Sequence, residues 1–179
     1  MEIYTYPAFL SHDECAHFRQ LIDENKQGVP FTDSGKFQNK KWINLELAQH
    51  FYNKLQLQAN KSIGIRPNNF IMSGKYIVGD QFGLHTDTGL FFDTQAREKT
   101  NWTLLIYLGT SVPSEEFMTE NTFVGGETIF FTDEWEPYQT VTPCEGMAVL
   151  FDISIWHQAK PVFTGVKYWI GCEIIGKMK

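Results

Sequence analysis

The stretch Tyr76–Gly89, YIVGDQFGLHTDTG, decides how this chain is read. It places His85 and Asp87 one residue apart. On a β-strand alternate side chains point to the same face, so both can reach a single ion. A His-x-Asp spacing alone is weak evidence, because a chain with five His and eight Asp produces it by chance. The pair cannot hold a metal without a further ligand.

Near the C-terminus the stretch WHQAKPVFTGVKYW offers His157 and, ten residues on, Lys167. Two histidines and one carboxylate on a β scaffold form the facial triad that suits non-haem Fe(II) and leaves positions open for other ligands. Zinc accepts the same donors, so the triad does not fix the metal. By strand alternation Lys167 shares a face with Trp169. A cation at the base of such a pocket requires a negative partner, because an unpaired buried charge is costly. A dicarboxylate cosubstrate would supply it, with Tyr76 and Thr128 as hydroxyl donors to the same carboxylate.

The length of 179 residues fits one domain spanning 1–179, with 1–69 as helical support and 70–175 as a β core. Hydrophobic residues at 42% and charged residues at 20% are ordinary for a globular chain; aromatics at 15%, with 15 Phe, suit a β-rich core. A net charge of −6 argues against general electrostatic affinity for nucleic acid. Lys36, Lys40 and Lys41 form a modest basic cluster, read as solvated surface. Cys15, Cys144 and Cys172 are far apart, which indicates neither a disulfide framework nor a zinc ribbon. The N-terminal MEIYTYPAFLSHDE lacks the basic start and apolar run of a signal peptide, and no window is apolar enough to span a bilayer. A cytoplasmic location without a membrane partner is expected.

Ser11–Glu14 is a capping box, and Cys15, Phe18, Leu21 and Ile22 follow at helical spacing. A second helix is expected over Leu45–Lys61, burying Leu47, Ala48, Phe51, Tyr52 and Leu55. His12, His17 and His50 fall on these helices and read as surface residues. From Phe70 the pattern changes to short β-branched or aromatic segments. Strands are expected near 70–78, 82–87, 102–109, 127–132, 138–142, 147–152, 154–158 and 166–175. Many short strands with turn signals point to a β-sandwich or jelly roll. Phe91–Asn101 and Ser111–Val124 read as long loops beside the site.

With these motifs in hand, the chain resembles the 2-oxoglutarate/Fe(II)-dependent dioxygenases of the prolyl 4-hydroxylase type. The resemblance rests on Tyr76 nine residues before His85, on His85-Thr-Asp87, Leu104–Leu108 (LLIYL) and Gly125-Gly-Glu-Thr128. It continues through Pro143–Phe151 (PCEGMAVLF) and His157 with Pro161, Val162, Gly165 and Lys167. It covers roughly residues 70–175 in the family's order. It implies a mainly β, double-stranded β-helix (jelly roll) with supporting N-terminal helices. It implies Fe(II) on His85, Asp87 and His157, 2-oxoglutarate chelating the iron with Lys167 on its distal carboxylate, Tyr76 and Thr128 as helpers, O2 as oxidant and ascorbate as reductant. The implied reaction hydroxylates a C–H bond, foremost of a prolyl residue in a peptide or protein, and releases succinate and CO2. In many enzymes of this type an arginine stands three residues before the threonine of the strand leading to the YL pair; here Thr100 occupies that place.

Other readings remain. A small-molecule or free amino-acid hydroxylase would use the same centre. A nucleic-acid demethylase would use arginines in the last strands, and no Arg follows Arg97. A non-catalytic cupin-like metal-binding module would be expected to lack a ligand or the lysine. A zinc hydrolase would need a general base, for which Glu127 is the candidate within a motif.

Overall fold

The computed structural model describes residues 2–30, 38–59, 61–89 and 91–178, without the side chain of Gln38. Lys36 of the basic cluster lies outside them. The elements begin with β1 (Ile3–Tyr6), α1 (His12–Glu24), β2 (Val29–Pro30), β3 (Gln38–Ile43) and α2 (Leu45–Gln58). They continue with β4 (Arg66–Tyr76), β5 (Phe82–His85), β6 (Phe92–Asp93), β7 (Glu98–Tyr107), β8 (Thr110–Val112) and β9 (Thr122–Gly125). The last are β10 (Thr128–Phe131), β11 (Pro137–Val141), β12 (Ala148–Asp152), β13 (Trp156–Ala159), β14 (Val162–Gly165) and β15 (Lys167–Lys177).

The capping box forms as read: Ser11 Oγ accepts from the Glu14 amide at 3.2 Å, and the Ser11 amide donates to Glu14 Oε2 at 2.7 Å. Asn44 caps α2 by accepting from the Leu47 amide. Cys15, Phe18 and Ile22 of α1 and Ala48, Phe51 and Leu55 of α2 pack together on Ile71, Leu104, Ile106, Leu150, Ile170 and Ile174 of the sheet. Full burial of each such large apolar side chain stabilises the fold by about 1.5–3 kcal/mol. His12, His17 and His50 are exposed, as their places on the helices predict. No helix is long and apolar enough to cross a membrane among the described residues.

The large sheet runs β1-β12-β7-β15-β4-β3-β2, with β6 beside β7, and a smaller sheet runs β11-β10-β13-β5. Alternation divides the large sheet's side chains. Leu104 and Ile106 go to the helices, while Tyr107, Val149 and Phe151 turn inward to meet Phe130 and Val141 of the smaller sheet. Two facing antiparallel sheets of this kind make a double-stranded β-helix, as expected.

Two segments differ from expectation. Ser111–Val124 is not a loop throughout: β8 pairs in parallel with β9, and β9 pairs with β14 in a separate three-stranded sheet. Phe123 anchors it, fully buried against Tyr76 and Val162. Phe91–Asn101 contains β6 and the start of β7. Both runs are too short and polar to carry a visible period of two. Of the cysteines, Cys15 and Cys172 are buried and Cys144 is exposed, and Trp156 packs on exposed Trp135.

Candidate metal centre and its pocket

β5 and β13 are antiparallel neighbours, and their register sets His85 directly opposite His157. Directly opposite residues project to the same face, so both rings enter the space between the sheets. Asp87 follows the end of β5, its amide donating to the Ile153 carbonyl at 2.9 Å. Asp87 Oδ1 lies 3.7 Å from His85 Nε2 and 3.8 Å from His157 Nε2. One donor atom from each of the three residues falls within 4.8 Å of the others.

The partners of these groups decide which atoms remain available. His85 Nδ1 sits 2.7 Å from the Gly83 carbonyl, and His157 Nδ1 sits 2.9 Å from the Ile155 carbonyl. A carbonyl only accepts, so each Nδ1 carries the proton and each Nε2 keeps its lone pair for a metal. Burial, then the neighbouring His157 imidazole, lowers the His85 pKa, which favours the neutral, ligating form. Thr103 Oγ1 donates to Asp87 Oδ2 at 2.5 Å and leaves Oδ1 toward the histidines. Two imidazole nitrogens and one carboxylate oxygen fit Fe(II) with open positions, and by donor type alone would also take zinc.

Thr103, which the sequence reading missed, holds the Asp87 carboxylate through this hydrogen bond. Thr103→Val keeps the shape of the side chain and removes the donor. Affinity for Fe(II) is expected to fall about 10–100-fold, the usual loss when a ligand's supporting hydrogen bond is deleted. Anaerobic Fe(II) titration checks this, and an unchanged affinity would remove Thr103 from the centre.

The pocket leads from the triad to Lys167, and its wall includes Tyr76, Thr128 and Trp169. Lys167 is 2% exposed and donates to the Gly126 carbonyl at 2.6 Å. That carbonyl is presented by Gly125 and Gly126, both at positive φ (85° and 72°), where other residues are strained. Burial lowers the Lys167 pKa from 10.5 to about 7, with Glu127 opposing the shift. No ion pair among the described residues includes Lys167. Its ammonium lies 5.6 Å from the centre of the Tyr76 ring and 5.4 Å from that of Tyr107. Tyr107 Oη donates to Thr128 Oγ1 at 2.7 Å, which leaves the threonine proton to be given elsewhere. Tyr107 belongs to the LLIYL motif, yet nothing in the sequence singled it out for this contact.

Thr100 does not face the pocket as an open site. Its hydroxyl donates to Glu173 Oε2 at 3.0 Å and accepts from the Phe91 amide at 3.3 Å. Glu173 is itself buried and also accepts from Asn68 at 3.0 Å.

Comparison with known proteins gives a consistent result. A profile described as the 2OG-Fe(II) oxygenase superfamily matches residues 71–172, more than half of the chain. No curated protein matches the sequence. Among solved structures, the chain is similar to the viral collagen prolyl hydroxylase of Paramecium Bursaria Chlorella virus-1 in its 2OG complex. That match has a TM-score of 0.62 at 18% identity and covers 100% of this chain and 97% of that one. It is similar to a Pseudomonas putida prolyl-4-hydroxylase, with a TM-score of 0.62 at 13% identity, covering 99% and 92%. It is also similar to a Trichoplax adhaerens prolyl hydroxylase in complex with a hypoxia inducible factor peptide fragment, with a TM-score of 0.63 at 12% identity, covering 96% and 83%. At these identities the likeness establishes the fold.

Proposed function

The chain belongs to the 2OG-Fe(II) oxygenase superfamily, and from that premise we propose that it hydroxylates a prolyl residue of a peptide or protein and releases succinate and CO2. It is an Fe(II)- and 2-oxoglutarate-dependent dioxygenase that uses O2. The observation that carries the reading is the shared pocket: the open His85–Asp87–His157 cluster at one end and buried Lys167 at the other.

His85, Asp87 and His157 hold Fe(II), which when bound with 2-oxoglutarate and O2 supplies the oxidising power for C–H hydroxylation. Each histidine is fixed by its Nδ1 proton on a carbonyl, and Asp87 by Thr103. Lys167 gives its ammonium to the distal carboxylate of 2-oxoglutarate, and the Thr128 hydroxyl, oriented by Tyr107, donates beside it. Tyr76 walls the same end. The rings of Phe151 and Phe130 pack on His157 and keep water from one side of the centre.

A peptide substrate is supported by the fold shared with solved prolyl hydroxylases, one of them in complex with a peptide fragment. A small molecule or free amino acid is the second reading. It is favoured by Thr100, whose hydroxyl is engaged by Glu173 at the place where the resemblance expects an arginine. The test begins with anaerobic addition of Fe(II) and then 2-oxoglutarate. A weak visible charge-transfer band is expected, followed by succinate once O2 is admitted. Proline-containing peptides and free amino acids are then compared for coupled product. Tight zinc binding with no band would refute the oxygenase centre. Coupling with free amino acids alone would refute the peptide substrate.

A further inference from the structure

Asn39 stands outside every motif of the resemblance and outside the residues that match the superfamily profile. It lies on β3, in register with Gly74 of β4, which is in register with Trp169 of β15. The neighbouring register pair is Tyr76 and Lys167. Directly opposite residues share a face, so Asn39 joins the row next to Lys167 on the inner side of the sheet. It is fully buried and lines the same pocket. Gly74 makes the space: a Cβ there would collide with Trp169 Nε1 and with the Asn39 amide oxygen.

The carboxamide is satisfied at only one end. Its nitrogen is 3.2 Å from Tyr76 Oη, while its oxygen is buried with no partner among the described residues. Buried polar atoms without partners are rare and call for an explanation. The two ends of an amide have the same shape, and their assignment follows the hydrogen-bond network. Tyr76 already accepts from the Trp169 indole, a group that can only donate. Turning the Asn39 amide over lets its oxygen accept the Tyr76 hydroxyl proton. Its NH2 then takes the unpartnered place above Gly74 and beside Trp169, on a side chain that lines the pocket, where an anionic oxygen is the fitting partner.

We propose that Asn39 binds the distal carboxylate of 2-oxoglutarate, donating from its NH2 beside the Lys167 ammonium while its carbonyl accepts from Tyr76. The inference rests on the cosubstrate reading given above. It adds a residue from the N-terminal strands to a pocket otherwise built from the β-helix core. Asn39 and Lys167 would together select for a 2-oxo acid with a second carboxylate.

The test measures anaerobic binding of 2-oxoglutarate and of 2-oxovalerate, which lacks the distal carboxylate, to the metal-loaded protein. Asn39→Ala is expected to raise the 2-oxoglutarate Kd about tenfold, as loss of a hydrogen bond to a charged group does. Asn39→Asp, of the same shape, keeps an oxygen for Tyr76 but turns a carboxylate toward the ligand. It is expected to raise the Kd roughly a hundredfold, with unchanged metal affinity. Neither variant should alter 2-oxovalerate binding. If water satisfies its other end, Asn39→Ala will bind 2-oxoglutarate like the wild type, and the proposal fails even where Asn39→Asp binds it weakly, because a carboxylate beside Lys167 repels the ligand without any contact from Asn39. Equal losses for both oxo acids would also overturn it. Absence of 2-oxoglutarate binding by the wild type would bring down the cosubstrate reading itself.

Discussion

Replacing His157 with alanine is expected to abolish Fe(II) retention and turnover while the β-helix remains folded. His157 is the best-buried member of the cluster, 7% exposed, and its strand is held between β10 and β5. The backbone ladder does not need the imidazole, so the fold survives. The ring does pack on Phe151, with centroids 4.8 Å apart, and it satisfies the Ile155 carbonyl. Its loss therefore costs about 1–3 kcal/mol, within the usual range for single substitutions and below the total stability of a typical domain. The metal effect is larger. A lost ligand leaves two donors, and affinity should fall by more than the roughly 10–100-fold expected for a lost supporting hydrogen bond. His85→Ala should match it in metal loss with a smaller stability loss, because the His85 side chain is 24% exposed. Circular dichroism, denaturant unfolding and anaerobic Fe(II) titration separate these effects. Normal turnover in the His157 variant would end the assignment of the centre.

Legibility in the sequence followed the range of the interactions. α1 was readable because its start lies in four adjacent residues, and both halves of its capping box form. The strands of the core were readable because alternation is local. β7 carries buried Leu104 and Ile106 on one face and Thr103 and Tyr107 on the other, so its period of two survives even where both faces are covered. β8 and β9 were not readable: their parallel pairing joins residues twelve positions apart and depends on β14 for its other edge. The candidate metal ligands were named by chemistry, but the opposition of His85 and His157 is a property of strand register. Thr103, Tyr107 and Asn39 stayed hidden for the same reason. A threonine, a tyrosine and an asparagine have no distinctive reactivity; each gains a role from a neighbour on another strand.

The register of β15 also explains why the pocket has a cation at one end and not the other. Tyr76 pairs with Lys167, Gly74 with Trp169 on one side and Asn39 on the other, and Thr103 with Glu173 further along. The inner face of one strand thus runs from a buried ammonium to a buried carboxylate, with the Thr103 support of Asp87 beside the latter. The buried cation of the pocket therefore stands at the Lys167 end of that face.

Lys167→Met is expected to eliminate productive cosubstrate binding and at the same time stabilise the ligand-free protein. Met fills similar volume without a charge, so the packing against Tyr76 and Tyr107 is kept. Burial lowers the Lys167 pKa from 10.5 to about 7, which corresponds to a stability cost on the order of 5 kcal/mol when the amine is protonated. The sign with pH follows from proton counts. Between pH 7 and 10.5 the unfolded lysine binds a proton that the folded one does not, so this group's contribution to stability rises with pH. The advantage of Lys167→Met over the wild type should therefore be greatest at pH 7 and below, and should shrink toward pH 10. Binding runs the opposite way. The distal carboxylate needs the ammonium, so above pH 7 cosubstrate binding must take up a proton, and the wild-type Kd should rise about tenfold per pH unit. Calorimetry in buffers of different ionisation enthalpy measures that uptake directly, and unfolding at two pH values measures the stability term. A Lys167→Met protein that binds 2-oxoglutarate as tightly as the wild type would remove the lysine from the site. A stability difference that stays constant with pH would show that Lys167 is not held near neutrality by burial. The two measurements are independent, because one reads the ligand-bound state and the other the free protein. Agreement between them would mean that the fold tolerates an unfavourable buried charge whose compensating partner is the cosubstrate.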